Sequence, residues 1–213
     1  MMDAVLFDMD GVVLNSMPYH VKAWQEAFRE FGMEVPSRLL YLYEGAIEPQ
    51  NAVELFRKNG CRISTGDFSK ILQRQKEIFK LYKEEIRPFP EIPHILEQLN
   101  KRGISTALVT SSHKDVLANT LPKWLISQFK CIVTGDEVTR RKPHPDPYLK
   151  AVDHVQADPR RCIAIENAPA GIESAKKAGI RCIAIETTLS EDYLALADLV
   201  VHDHKELVHA IDV

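Results

Sequence analysis

The stretch AVLFDMDG at residues 4–11 decides the fold of this 213-residue chain. Its first four residues are short and continuously apolar, which is typical of a strand buried on both faces of a sheet. Similar apolar runs lie at 105–109, 130–133, 162–165, 182–185 and 199–201. Amphipathic stretches alternate with them at 92–101, 114–129, 147–155, 170–178 and 205–211. This alternation predicts an α/β fold with a Rossmann-like parallel sheet, covered on both faces by helices, as its core.

Residues 17–86 interrupt the alternation. They contain no convincing strand, and their aromatic and aliphatic residues recur at helical spacing. We therefore predict an all-α cap domain at 17–86, inserted after the first strand. The core domain would comprise residues 1–16 and 87–213, and the two connections near 15–17 and 83–88 would form a hinge.

Composition narrows the classes of partner. The chain is 45% hydrophobic and 27% charged, so it has enough apolar residues for a core. Its formal net charge is -3, which makes it a poor candidate for binding nucleic acid or an anionic membrane. No apolar run approaches the roughly 18 residues of a membrane span. Residues 1–11 have no basic lead, and Asp8 interrupts their apolar run, so we do not expect them to act as a signal peptide. The four cysteines lack CxxC spacing, which favours free thiols in a reducing compartment. We expect a cytoplasmic monomer.

Two acids, Asp8 and Asp10, directly follow the first predicted strand. Ligands of open α/β sheets bind at the carboxyl ends of the strands. Two carboxylates this close repel each other unless a cation compensates. One of them suits a nucleophile and the other a general acid and base, with Mg²⁺ as the cation. A surface turn with two solvated acids is the alternative that this motif alone leaves open.

Further polar residues follow other predicted strands. Thr110 and Ser111 end the second strand with hydroxyls that suit phosphate oxygens. Lys142, in a proline-rich loop, supplies a compact positive charge that suits phosphate, and Glu166 and Asn167 supply oxygens that suit a hard cation. Taken singly, these residues equally fit helix N-caps and a solvated loop lysine. Together they predict a phosphoryl-transfer site at one rim of the sheet.

Four motifs occur in order along nearly the whole chain. They are FDMDGV at 7–12, ALVTSS at 107–112, RRKPHPDPYL at 140–149 and AIENAPAGIESAKKAG at 164–179. On these motifs the chain resembles the haloacid dehalogenase superfamily, in its branch of β-phosphoglucomutase-like phosphatases. The inserted helical cap also lies where that branch has one.

The resemblance implies a Mg²⁺-dependent phosphatase that acts on a small phosphomonoester, such as a sugar phosphate. Asp8 would attack phosphorus and carry an aspartyl-phosphate, while Asp10 would act as general acid and base. Thr110 and Lys142 would hold the phosphoryl group. The Mg²⁺ ligands would be Asp8, the Asp10 carbonyl, Glu166 and Asn167. The family usually has an acid where this chain has Asn167, so one negative charge is missing beside the metal.

The cap carries the predicted substrate contacts. His20 and Trp24 form an HxxAW pattern that resembles sugar-phosphate members of the branch, although Trp24 also fits packing inside the cap. The loop at 44–49 matches the family's specificity loop and contributes Gly45 and Glu48.

The same loop bears on the reaction. A β-phosphoglucomutase needs a second phosphate site under the cap, where its specificity loop supplies an arginine. This chain has Glu48 there, with Glu44 nearby, and two carboxylates repel a second phosphate. We therefore favour a phosphatase, while Arg74, Lys76 or Lys80 leaves a mutase open as the alternative. A non-catalytic, receiver-like phosphate-binding domain is the third and least favoured interpretation, because this chain has its acids after the first strand and keeps every catalytic position.

Overall fold

The sheet is fully parallel, as the alternating pattern predicts. The computed structural model of the protein describes residues 2–43 and 49–211. Within them the strands are β1 Ala4–Phe7, β2 Ser105–Val109, β3 Cys131–Val133, β4 Cys162–Glu166, β5 Arg181–Ile185 and β6 Leu199–Val201. Their order across the sheet is β3-β2-β1-β4-β5-β6, so the short apolar run that opens the chain lies at its centre. The prediction of a Rossmann-like α/β core is confirmed.

The helices fall into two groups. Four lie between β1 and the segment that leads to β2: α1 Met17–Glu30, α2 Ser37–Tyr43, α3 Pro49–Lys58 and α4 Thr65–Leu81. The others flank the sheet: α5 Ile92–Lys101, α6 Lys114–Thr120, α7 Lys123–Ile126, α8 Asp146–Val155, α9 Pro169–Lys177, α10 Glu191–Leu194 and α11 His204–Ala210. None of the helices in the described residues is long and apolar enough to cross a membrane.

Alternate residues of β1 face opposite sides of the sheet, because side chains along a strand alternate in direction. Val5 and Phe7 belong to a hydrophobic cluster that includes buried residues of α5, α6, α7 and α11. Ala4 and Leu6 belong to a second cluster, which includes buried residues of α8, α9 and α10. Burial on both faces explains why β1 is apolar at every position.

The first hydrophobic cluster continues into α1–α4. Trp24 stacks on Phe68 with ring centroids 5.8 Å apart, and Phe28 contacts Phe56 at 5.0 Å. These buried rings hold α1, α3 and α4 together. Residues 17–43 and 49–86 contain no strand, as expected for an all-α cap, and the division into two domains with boundaries at 16/17 and 86/87 remains a proposal.

The two chain connections to the helical segment run side by side. The Asn15 N–H donates to the Arg87 carbonyl at 2.9 Å, and the Phe89 N–H donates to the Val13 carbonyl at 3.1 Å. The segment therefore leaves and rejoins the sheet domain a few residues beyond Asp10, next to the carboxyl end of β1.

One predicted element is wrong. The sequence pattern predicts a single helix at 114–129, whereas the structure has α6 and α7 with a break at Leu121 and Pro122. Leu121 is extended, with ψ at 122°. Proline has no N–H to continue the helix and forces the preceding residue out of the helical conformation, so the apolar periodicity continues across a break in the backbone.

Candidate active site

The predicted site residues meet at the carboxyl edge of the sheet. Phe7 is paired in register with Leu108 of β2 and with Ile165 of β4. The residues that follow these strands therefore share one rim. They line a cavity of about 1010 Å³, together with residues of α1 and α4. Its size is that of a small-molecule site.

The ammonium group of Lys142 is the centre of this rim. Its Nζ donates to Asp8 Oδ1 and to Glu166 Oε1, both at 2.6 Å, and to the Val109 carbonyl at 3.0 Å. Lys142 is only 4% exposed. A charge that is buried this completely requires opposite charges and hydrogen-bond acceptors close by, and the ends of β1, β2 and β4 supply all of them.

Asp8 lies in an environment that opposes its ionisation. Burial raises the pKa of its carboxyl group to about 7; Lys142 pulls the pKa down, while the charges of Glu166 and Asp10 raise it further. Lys142 thus binds two buried carboxylates, Asp8 and Glu166, while the charge of Asp10 acts on Asp8 from nearby. An additional cation near Asp8 would favour the ionised form, which is the form a nucleophile requires.

Asp10 lies in a contrasting environment. Burial alone would raise its pKa, but polar contacts on two sides lower the pKa below its ordinary value. Ser16 Oγ donates to Oδ1 at 2.5 Å, Ser112 Oγ donates to Oδ2 at 3.2 Å, and His20 Nε2 lies 3.3 Å from Oδ1. Asp10 is therefore ionised in this arrangement and joins β1, the β2 end and α1.

His20 is held on three sides. Its ring stacks on Phe79 of α4 at a centroid distance of 3.8 Å, its Nδ1 lies 3.5 Å from Gln75 Nε2, and its Nε2 faces Asp10. It also lines the cavity. The helical segment thus places the imidazole of His20 in contact with Asp10. The HxxAW pattern predicted His20 only as a substrate contact.

The other predicted residues differ in how they face the cavity. Thr110, Ser111 and Trp24 all line it. The Thr110 hydroxyl accepts the Ser112 N–H at 3.0 Å, and Thr110 is buried beside the Lys142 cluster. Trp24 is 2% exposed within the aromatic core of the cap, so packing accounts for most of its surface. Gly45 and Glu48 lie outside the described residues.

The predicted metal ligands offer a mixed set of oxygens. Asn167 Nδ2 donates to Thr188 Oγ1 at 3.2 Å, and this hydrogen bond does not involve the amide oxygen of Asn167. Lys142 binds Oδ1 of Asp8, and this contact does not involve Oδ2. Both oxygens of Glu166 hold hydrogen bonds, from Lys142 and from the Asn167 N–H. Hard oxygens and excess negative charge fit Mg²⁺. Within residues 2–43 and 49–211, no three His, Cys, Asp or Glu side chains form a metal site by themselves, so the Asp10 carbonyl and the Asn167 amide would be needed.

Sequence reasoning missed several supporting residues. Tyr148 OH donates to Glu166 Oε1 at 2.7 Å from inside α8. Gly171 has no room for a side chain, because a Cβ there would collide with the Glu166 carboxylate. Ser16 and Ser112 bind Asp10. Tyr148, Ser112 and Gly171 all lie within the four motifs, but nothing in their spacing indicates which side chains they contact.

The chain is similar to known proteins along most of its length. Residues 5–185 match the haloacid dehalogenase-like hydrolase family, and the chain belongs to that family. It is 30% identical to hexitol phosphatase A of Escherichia coli over 95% of this chain and 91% of that protein. It is 27% identical to β-phosphoglucomutase of Bacillus subtilis, over 97% and 92%. A solved putative β-phosphoglucomutase from Bacteroides vulgatus is 28% identical, with a TM-score of 0.81 over 99% of this chain and 88% of that chain.

The fold and the family together make the protein a haloacid dehalogenase-like hydrolase, and the relatives named above are a phosphatase and two phosphoglucomutases, one of them putative. The resemblance that the four motifs carry is therefore confirmed.

The Lys142 cluster gives the first testable prediction. Lys142→Met leaves Asp8 and Glu166 buried without their shared cation, so the free energy of unfolding in metal-free buffer should fall by about 3–5 kcal/mol. Urea denaturation measures this change. Lys177→Met is the matched control, because Lys177 forms an exposed pair with Glu173 and its loss should change stability little. Equal stability of the two variants would contradict the proposed role of the buried ammonium.

Proposed function

We propose that the protein is a Mg²⁺-dependent phosphatase that hydrolyses a sugar phosphate or a similar small phosphomonoester through a phosphoryl group carried on Asp8. The observation that carries this proposal is the contact of Lys142 with both Asp8 and Glu166 at 2.6 Å. It places a positive charge beside a carboxylate that lines the cavity, and such a charge stabilises a phosphoryl group in transfer.

The reaction takes two steps at Asp8. In the first, a carboxylate oxygen of Asp8 forms a bond to phosphorus, the ester P–O bond breaks, and Asp10 gives its proton to the leaving oxygen. In the second, Asp10 takes a proton from water as the water oxygen attacks phosphorus, and the Asp8–phosphoryl bond breaks. Inorganic phosphate leaves, and both carboxylates return to their starting forms.

Asp10 needs a proton for the first step and must be free of it for the second. The hydrogen bonds that lower its pKa favour the ionised form, so they suit the activation of water. His20, in contact with Oδ1, is positioned to hold or supply the proton that Asp10 needs before the leaving group departs.

Mg²⁺ would be held by Asp8, the Asp10 carbonyl, Asn167 and Glu166, and when bound it supplies charge neutralisation between the carboxylates and the phosphoryl group. Thr110, buried at the end of β2, would hold a phosphoryl oxygen through its hydroxyl. The substrate's remaining part would occupy the cavity between this rim and the face of α1 and α4, beside His20.

A mutase is the second candidate, because cationic side chains of α4 also line the cavity and could hold a second phosphate. The two candidates differ in the acceptor of the phosphoryl group. A phosphatase transfers it to water, and a mutase returns it to a sugar.

The deciding experiment supplies β-glucose 1-phosphate with a hexose 1,6-bisphosphate and Mg²⁺, and measures both free phosphate and glucose 6-phosphate. We expect free phosphate as the main product.

Asp8→Asn should abolish turnover, to below roughly a hundredth of the wild-type rate, because it removes the attacking oxygen. Asp153→Asn, an exposed position on α8, is the matched control. Efficient formation of glucose 6-phosphate would favour the mutase, and phosphate release by Asp8→Asn at the wild-type rate would refute the covalent mechanism.

The metal shell gives a separate prediction. Asn167→Asp adds a carboxylate where the family usually has one, so the apparent affinity for Mg²⁺ should rise by about tenfold. The measurement is the rate of phosphate release as a function of Mg²⁺ concentration. Thr188→Val serves as the control, because it removes the hydrogen bond to Asn167 without adding charge. An unchanged Mg²⁺ dependence in Asn167→Asp would exclude this side chain from the metal shell.

A further inference from the structure

The imidazole of His204, the first residue of α11, is buried against the loop that follows the acid pair. His204 is 4% exposed, and its Nε2 lies 2.7 Å from the carbonyl oxygen of Val12. A carbonyl oxygen only accepts hydrogen bonds, so Nε2 carries the proton and donates it. Burial lowers the pKa of His204 below its ordinary value, so the ring is neutral and this N–H is its single donor.

The same ring contacts the second chain connection of the helical segment. It stacks on Phe89 with a centroid distance of 4.1 Å. Val12 lies on the connection that leaves the sheet domain, and Phe89 lies on the connection that returns to it. His204 therefore holds both connections at once, from a helix near the other end of the chain. We call His204 with these two contacts the clamp.

The loop at residues 11–14 is bound at every carbonyl group. Two of the donors are backbone N–H groups, those of Gly11 and Phe89. The other two are side chains that follow β5 and β6: Thr187 Oγ1 donates to the Gly11 carbonyl at 2.5 Å, and His204 donates to the next carbonyl along the chain. Because bound backbone groups fix the path of a loop, Thr187 and His204 help to set the course of the chain after the acid pair.

This loop leads from Asp10 to two of the side chains that contact it. Ser16 Oγ donates to Asp10 Oδ1 at 2.5 Å, and His20 Nε2 lies 3.3 Å from the same oxygen. The course of residues 11–14 therefore affects where Ser16 and His20 lie relative to the Asp10 carboxyl group. His204 is not among the described residues that line the cavity, so an effect of His204 on the reaction has to act through the loop.

We propose that His204 is a positioning residue, which clamps the two connections of the helical segment and thereby holds Ser16 and His20 against Asp10. This inference rests on the proposed phosphatase function, in which Asp10 gives its proton to the leaving oxygen. Loss of the clamp should therefore impair cleavage of an ester whose leaving oxygen needs that proton more than cleavage of an ester whose leaving group needs none.

Substitutions at His204 separate its N–H donor from its ring. His204→Phe keeps a ring that can stack on Phe89 but removes the donor. His204→Gln removes the ring but offers an amide N–H donor near the position of Nε2. His209→Phe is the matched control, because His209 is exposed on the same helix and its Nδ1 lies 2.7 Å from the Lys205 carbonyl of that helix.

The first measurement is a ratio of two kcat/KM values. One is for the better hydrolysed of glucose 6-phosphate and β-glucose 1-phosphate, and the other is for p-nitrophenyl phosphate, whose leaving group needs no proton. The ratio does not depend on the folded fraction of the protein, so a loss of stability alone leaves it unchanged.

We expect His204→Phe to lower this ratio by about tenfold or more, because a displaced general acid loses much of its effect. His204→Gln should restore the ratio to within about threefold of the wild-type value, and His209→Phe should leave it within about twofold. An unchanged ratio in His204→Phe would refute the positioning role.

The second measurement needs no turnover. NMR follows hydrogen exchange at the amides of Asn15 and Phe89, which bond across the two connections, and at the amide of Thr110, which bonds to the Val133 carbonyl in the sheet domain. His204→Phe should speed exchange at Asn15 and Phe89 by about tenfold and at Thr110 by no more than about twofold, because local opening does not require global unfolding. The same change at all three amides, or no change at any, would overturn the clamp.

Together the two measurements distinguish this inference from the phosphatase proposal. If exchange accelerates only at Asn15 and Phe89 but wild-type protein releases no phosphate from any of the esters, the phosphatase proposal fails and the clamp stands. If phosphate is released but exchange at these amides does not accelerate selectively, the clamp fails alone. Selective acceleration with an unchanged kcat/KM ratio would show that the clamp does not position the partners of Asp10.

Discussion

The buried ammonium of Lys142 is the interaction on which the site depends. Removing it from water is costly, and the cost is offset only because Asp8, Glu166 and the Val109 carbonyl converge on it from three neighbouring strand ends. That convergence requires β1 at the centre of a parallel sheet, between β2 and β4. The strand order that buries β1 therefore also brings Asp8 and Glu166 close to Lys142.

Two carboxylates that are two residues apart acquire opposite properties from this arrangement. Burial raises the pKa of Asp8, whereas hydrogen bonds and His20 lower the pKa of Asp10. Such divergence separates the roles of paired acids in phosphoryl and acyl chemistry. Ser16 and His20, at the start of the helical segment, contact Asp10, so this segment contributes to the lowered pKa of Asp10.

Much of this was predictable from sequence, for identifiable reasons. A short, wholly apolar run predicts a strand buried on both faces, and DMDG directly after it lies at the carboxyl end of that strand, so the motif predicts both the strand and the rim. The break at Pro122 was not anticipated, because periodicity alone does not report backbone continuity. The contacts of Tyr148 with Glu166 and of Ser112 with Asp10 depend on the tertiary structure, which spacing along the chain does not report. Spacing along a helix predicts which residues share one face of the helix, but not which groups pack against that face.

The most direct test of the central claim is mass spectrometry of acid-quenched protein during turnover. Asp10→Asn protein, given an aryl phosphate whose leaving group needs no proton, should form the intermediate and hydrolyse it slowly. The account predicts that the proteolytic peptide containing Asp8 gains one phosphoryl group, and that Asp8→Asn/Asp10→Asn protein shows no such gain. Release of the aryl alcohol with no phosphoryl group on that peptide, or with one on a different residue, would contradict it.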